Sequence, residues 1–77
     1  MSIHKKRGQY LRMIRIKKGL SQHGVALRLN ISQNAYWKIE NGETGLSIDH
    51  LLSLADTFDI PASTLLESLE IEGRNVI

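Results

Sequence analysis

The stretch Asn30-Ile31-Ser32-Gln33-Asn34-Ala35-Tyr36-Trp37-Lys38-Ile39-Glu40-Asn41-Gly42 holds the side chains best placed for chemistry in this chain. A helix advancing about 100° per residue from Gln33 to Asn41 puts Ala35, Tyr36, Ile39 and Glu40 on one side. Gln33, Asn34, Trp37, Lys38 and Asn41 then share an arc of roughly 140° on the other. The first side can pack on a core. The second is a row of amide, aromatic and cationic groups with almost nothing to bury against. Ser32 is a good N-cap, and Asn41-Gly42 supplies a C-terminal stop. A short capped helix with an Asn/Gln/Lys stripe has the shape needed to enter a DNA major groove and read base edges. The plain alternative is that Gln33 and Asn34 are solvent-facing residues behind a cap.

Other chemistries find little support. The chain has no cysteine, which rules out disulfides and thiolate metal sites and leaves the redox compartment open. His4, His23 and His50 lack metal-ligand spacing, and no cofactor is expected. Ser21, Ser32 and Ser47 sit where caps belong, and neither a Gly-rich phosphate loop nor a paired-carboxylate cleft is present, so the chain does not read as an enzyme. No apolar run approaches membrane-spanning length. The basic N-terminus lacks the apolar segment of a secretory signal. A cytoplasmic protein with no membrane partner is expected.

The elements that must position the stripe read as helices throughout. At 77 residues the chain makes one domain, near the size where a core only just suffices. Helix one is expected from about Lys5 to Lys18, with Tyr10, Leu11 and Ile14 inward, cationic Lys17-Lys18 in the last turn and Gly19 as the stop. Ser21 caps helix two, whose Val25, Ala26 and Leu29 share a face; Gly24 inside it costs up to about 1 kcal/mol relative to Ala. Asn30 suits the left-handed residue of a tight turn, and Ile31 plugs inward before helix three. After a loop from Glu43 to Leu46, Ser47 caps helix four, where Ile48, Leu51, Leu52, Ala55 and Phe58 recur at helical spacing. Pro61 fits the first turn of helix five, with Leu65, Leu66 and Leu69 apolar. An all-α domain of five helices over 1–69 is the expectation, with 70–77 a tail that is frayed or partner-dependent.

Charge divides the chain in two. Up to Gly42 there are nine Lys/Arg against Glu40 alone, a net of +8; from Glu43 onward seven acids face Arg74 alone, a net of −6, leaving +2 overall. A basic half joined to an acidic half suggests a polyanion-facing surface and a back turned away from it. The alternative is ordinary solubility charge.

Helices two and three, joined at Asn30-Ile31 with small Ala26 where they cross, have the helix-turn-helix layout. In this arrangement the chain resembles the lambda repressor/Cro-like family, the xenobiotic-response-element type of helix-turn-helix regulator. The matching residues are Leu11-Arg12, Ile14-Arg15, Lys18 to Gln22, Val25-Ala26, Leu29 to Ser32, Lys38 to Gly42, and the Leu51-Leu52/Ala55/Phe58-Asp59-Ile60 run. They cover about residues 8 to 68.

The resemblance implies roles residue by residue. Gln22 would grip a DNA phosphate from the start of helix two, with His23 beside it as a surface group in reach of a phosphate. Gln33 and Asn34 would enter the groove and pair with adenine N6/N7. Lys38 would reach guanine O6/N7 or a phosphate. Asn41, Gly42 and Thr44, with the backbone N–H groups of 42 to 45, would contact phosphates. Arg15 and Glu40 would form an internal salt bridge tying the reading helix to the scaffold. Two departures stand out: Glu43 where basic residues are frequent, and Trp37 where a small or polar residue is common. Trp37 could pack on a thymine methyl or deoxyribose, or meet a protein. Lys5-Lys6-Arg7 reads as a phosphate or minor-groove arm, or as a solvated terminus. Leu65, Leu66, Leu69 and Ile71 read as a dimer surface, or as closure of the monomer core.

A sequence-specific regulator of transcription follows as the expectation. It would bind double-stranded DNA as a homodimer on a two-fold operator, because one short helix offers few base contacts. The competing class is a protein-interaction module, such as the antitoxin of a toxin–antitoxin pair, with a toxin or anti-regulator as partner.

Overall fold

The computed structural model describes residues 3–74. They form α1 (Ile3–Lys17), α2 (Gln22–Leu29), α3 (Gln33–Glu40), α4 (Ile48–Thr57) and α5 (Ala62–Arg74), with no strand among the described residues. Local sequence sets most of the boundaries. Ser21, Ser32 and Ser47 each accept a hydrogen bond from the backbone N–H three residues on, at 2.9, 3.0 and 3.1 Å, which satisfies one of the orphan donors of a helix start.

Four helices end in one and the same way. A left-handed residue closes each: Gly19 (φ 72°), Asn30 (φ 58°), Gly42 (φ 74°) and Asp59 (φ 56°). Two N–H groups then fold back on the last turn, as when Leu20 and Gly19 donate to Arg15 and Ile16, or Glu43 and Gly42 to Lys38 and Ile39. This is the Schellman stop, in which the next residue commonly packs under the helix. Leu20, Ile31 and Ile60 do so, partly buried against the core. After α3 the corresponding residue is Glu43, exposed and acidic.

Leu11 and Ile14 of α1, Val25, Ala26 and Leu29 of α2, Tyr36 and Ile39 of α3, and Leu51, Leu54, Ala55 and Phe58 of α4 converge on one core, closed by Leu65 and Leu69 of α5. Two expectations change here. On α4 the inward residue is Leu54, fully buried, whereas Ile48 and Leu52 are 67% and 51% exposed. Leu52 lies about 100° round the helix from Leu51, away from the side that packs on α2 and α5. In the assigned dimer surface, Leu65 and Leu69 are 1% and 4% exposed and belong to the monomer core, while Leu66 and Ile71 face out. The expected tail is also shorter. Glu70 to Arg74 continue α5, helped by the packing of Gly73 against the Arg7 guanidinium. Residues 75–77 lie outside the described residues.

Candidate nucleic-acid interface

α3 is held by its inner side and stands out as a ridge. Tyr36, Ile39 and Glu40 are buried, whereas Gln33, Asn34, Trp37 and Asn41 are exposed and Lys38 is half-buried. The division is the one the helical advance requires. The Glu40 carboxylate accepts hydrogen bonds from Arg15 Nε at 2.6 Å, Arg15 Nη2 at 3.2 Å and Gln22 Nε2 at 3.0 Å. Arg15 Nη1 donates in addition to the Leu20 carbonyl at 2.9 Å. One carboxylate therefore joins α1, α2 and α3. With side chains only 1% and 11% exposed, the Glu40–Arg15 pair is shielded, and its two parallel bonds are charge-assisted. The hydrogen bond to Glu40 is the main reason that the Arg15 guanidinium holds its proton even more firmly than usual. Tyr36 Oη lies buried beside the pair without a hydrogen-bond partner among the described residues. Burial, and next the Glu40 carboxylate, push its phenol above the ordinary tyrosine range.

A glycine at the crossing of α1 and α3 completes the clamp. A Cβ on Gly8 would drive into the carbonyl oxygens of Glu40 and Ile39, the second at 2.6 Å. One turn earlier, the backbone of Lys5 lies against Gly42. The N-terminal half of α1 thus runs across the end of α3, an approach that the helical pattern of either segment does not reveal.

Two grooves flank the ridge. The first, about 590 Å³, runs between α3 residues Gln33, Trp37 and Asn41 and a wall made by Lys5, Gln9 and Arg12 of α1 with Ser21, Gln22 and His23 of α2. Arg15 and Glu40 also line it. The second, about 500 Å³, lies on the Asn34 and Lys38 side and is bounded by Thr44, Gly45, Ser47 and His50. The structure thus gathers Gln22, His23, Gln33, Asn34, Trp37, Lys38, Asn41, Thr44 and Lys5 around one ridge.

Other expected contacts are drawn elsewhere. Arg7 Nε donates to the Leu69 carbonyl at 3.1 Å, so Arg7 is bound to α5 rather than held out as an arm. Lys5 and Lys6 are helical residues of α1, and Lys6 lines neither groove. The N–H groups of Gly42 and Glu43 are occupied in closing α3, at 3.2 and 2.9 Å, and offer nothing to a phosphate. Asn41 Nδ2 donates to the Trp37 carbonyl at 2.9 Å. Gln22 reaches the groove with its amide nitrogen already committed to Glu40. Gln9, Arg12 and His50 carry no DNA-contacting role in the sequence pattern. Lys5, Gln9 and Arg12 do have one-face spacing, but only the path of α1 across α3 shows what that face meets.

The helix-turn-helix family model matches residues 11–65, most of the chain, including both α2 and α3. The chain belongs to the Cro/C1-type helix-turn-helix family. It is a DNA-binding transcriptional regulator. The restriction-modification controller protein C.AhdI from Aeromonas hydrophila is 34% identical, with a TM-score of 0.73 over 79% of this chain and 92% of that one. The clp gene regulator ClgR from Corynebacterium glutamicum superposes with a TM-score of 0.82 at 19% identity, over 96% of this chain and 79% of that one. A second ClgR structure gives 0.79 at 21% identity, over 100% and 95%. At those identities ClgR speaks for the fold alone. No curated protein matches the regulator in sequence. Among its described residues no helix is long and apolar enough to cross a membrane, and no group of three or more His, Asp or Glu could hold a metal ion.

Proposed function

We propose that this regulator is a cytoplasmic repressor that binds a palindromic operator as a homodimer, with α3 in the major groove. The observation that carries the reading is the ridge itself, its exposed amides and Lys38 standing between two grooves while its inner side is fixed by Glu40. A B-DNA major groove is about 12 Å wide and walled by two phosphate backbones, and a ridge between two concavities complements that shape. Gln33 and Asn34 pair with adenine N6/N7, Lys38 with guanine O6/N7, and Trp37 packs on a thymine methyl or deoxyribose. His23, Thr44 and Lys5, with the remaining amide hydrogens of Gln22 and Asn41, hold the backbones and set register, which carries no sequence information of its own.

An eight-residue reading helix contacts too few base pairs to select a site alone, so a second copy supplies the other half-site. The exposed apolar side chains Ile48, Leu52 and Leu66 offer a surface for it. A bound dimer then acts by occupancy, excluding polymerase from the promoter. The 34%-identical relative is a restriction-modification controller protein, which supports a regulatory part of this kind.

The test uses Trp37, the sole tryptophan, as a built-in probe. A duplex is selected from a random-sequence pool and titrated at about 50 and 200 mM salt, where phosphate-driven binding weakens steeply. Saturable, salt-sensitive quenching is expected. Gln33→Ala combined with Asn34→Ala removes the preference for the selected duplex over a scrambled one, since each bidentate pair is worth about 1–3 kcal/mol of discrimination. Specific binding that survives this double substitution would exclude α3 as the reading helix.

A further inference from the structure

The wall of the larger groove opposite α3 holds two side chains without a role so far, Gln9 and Arg12 of α1. Building on the reading that α3 enters the major groove, we infer that Arg12, with Gln9 beside it, grips the phosphate backbone running between α1 and α3. Four observations lead there.

The first is placement. From Lys5 the helical advance puts Gln9 about 40° one way and Arg12 about 20° the other, so all three share one stripe facing Gln33, Trp37 and Asn41 across the groove. The second is reach. Seven residues of helix rise about 10 Å, about three nucleotide steps measured along the duplex axis. The third is charge. Glu40 is the only acid lining this groove, and its carboxylate is 1% exposed and satisfied by Arg15 and Gln22. The field in the groove is therefore positive, with Arg12 an exposed cation in it, which suits a polyanion. The fourth is availability. Arg15 is committed to Glu40 and Arg7 to Leu69, whereas Arg12 is exposed and makes no hydrogen bond or ion pair among the described residues. A guanidinium in this state can meet a phosphate bidentately, a geometry that lysine does not offer. The backbone would then be held from both sides, by α1 and Gln22 on one and by the α3 flank on the other.

A backbone contact has a signature that a base contact lacks. Arg12→Ala should weaken binding of the selected duplex and of a scrambled duplex alike, by about tenfold, and lower the salt slope of log K by about 0.9 for each lost phosphate contact, about 1.8 for a bound dimer. Gln9→Ala should weaken both duplexes by a smaller factor and leave the slope alone, because no charge is removed. Arg28→Ala, which removes an exposed arginine that does not line the groove, should change neither. Circular dichroism of Arg12→Ala is expected to match the native chain, as the residue is exposed. An unchanged slope and affinity for Arg12→Ala, with the native chain still binding, would overturn this assignment and leave the role of α3 intact. A loss confined to the selected duplex would overturn it too, by making Arg12 a base reader. A native chain that binds no duplex would remove the reading of α3 on which the assignment rests.

Discussion

Two grooves open on opposite sides of the N-terminal half of α1, and they differ in what lies at the bottom. Between α1, α2 and α3 the floor is a buried ion pair with every strong acceptor occupied. Between α1, α4 and α5 a second hollow of about 210 Å³ is floored by Leu11, Ile39, Leu51 and Leu69, with Leu46, Ile48 and Leu66 also lining it. The same helix thus turns Lys5, Gln9 and Arg12 to the first groove, and Leu11, beside His4, Arg7 and Gly8, to the second. A polar groove with a satisfied floor can take up and release a hydrated polyanion without leaving an unpaired charge behind. An apolar hollow has no such return path to water, so its cover should be more lasting. The contrast assigns the two proposed associations to the two sides: nucleic acid to the first, a second copy of the chain to the other.

The severest way to break the comparison is to remove the polar floor. Glu40→Ala leaves Arg15 shielded without its counter-charge and should cost ~3–5 kcal/mol. A domain of this size loses about 4–8 °C of melting temperature per kcal/mol, so calorimetry reads the effect directly, and DNA binding should fall with it. Unchanged thermal stability would mean that the pair is ornamental. The apolar side can be challenged with Ile48→Lys and Leu66→Lys together. Both residues are more than half exposed, so the monomer should keep its stability within about 0.5 kcal/mol per site. Sedimentation should show loss of the dimer, and operator affinity should drop to that of a single half-site; a dimer that persists would move the interface elsewhere.

The smallest expected effect sharpens the account of the polar floor. Removing the Tyr36 hydroxyl as Phe should alter stability at neutral pH by less than about 1 kcal/mol, because Oη makes no hydrogen bond that would be lost. The difference should emerge in alkali. The folded phenol titrates above the ordinary value of 10.0, so above about pH 10 the unfolded chain releases a proton that the native state keeps. Native stability should therefore fall as pH rises from there, and Tyr36→Phe should flatten that decline. Parallel declines in the two proteins would show that another group governs alkaline unfolding.

Much of this architecture is legible in the residues themselves, because it is local. Three serines followed by helical runs give three helix starts, and the stripe from Gln33 to Asn41 gives the exposed and buried sides of α3 without any tertiary information. The Arg15–Glu40 pairing was legible only through family resemblance, since the partners lie 25 residues apart. What escaped depends on where one helix crosses another. Gly8 looks like a weak spot in a helix until the Glu40 carbonyl is found against it. Arg7 looks like part of a basic arm until the Leu69 carbonyl takes its Nε. Leu52 and Leu54 are equal as letters, and only the orientation of α4 against α2 and α5 distinguishes them. Glu70 to Arg74 carry too few apolar residues to announce a helix, and their order comes from α1 lying alongside.

The shared helix ending bears on how such a chain can change. At three of its joints an aliphatic residue is wedged into the core, so adding or deleting a residue there would drag a plug out of hydrocarbon. The joint after α3 has Glu43 in that position, facing water. From Glu43 to Gly45 the residues face water, so side-chain charge can be exchanged there with little penalty to folding. Descendants of this sequence can therefore retune their grip on DNA, or acquire a new one, at the one hinge where the scaffold does not resist.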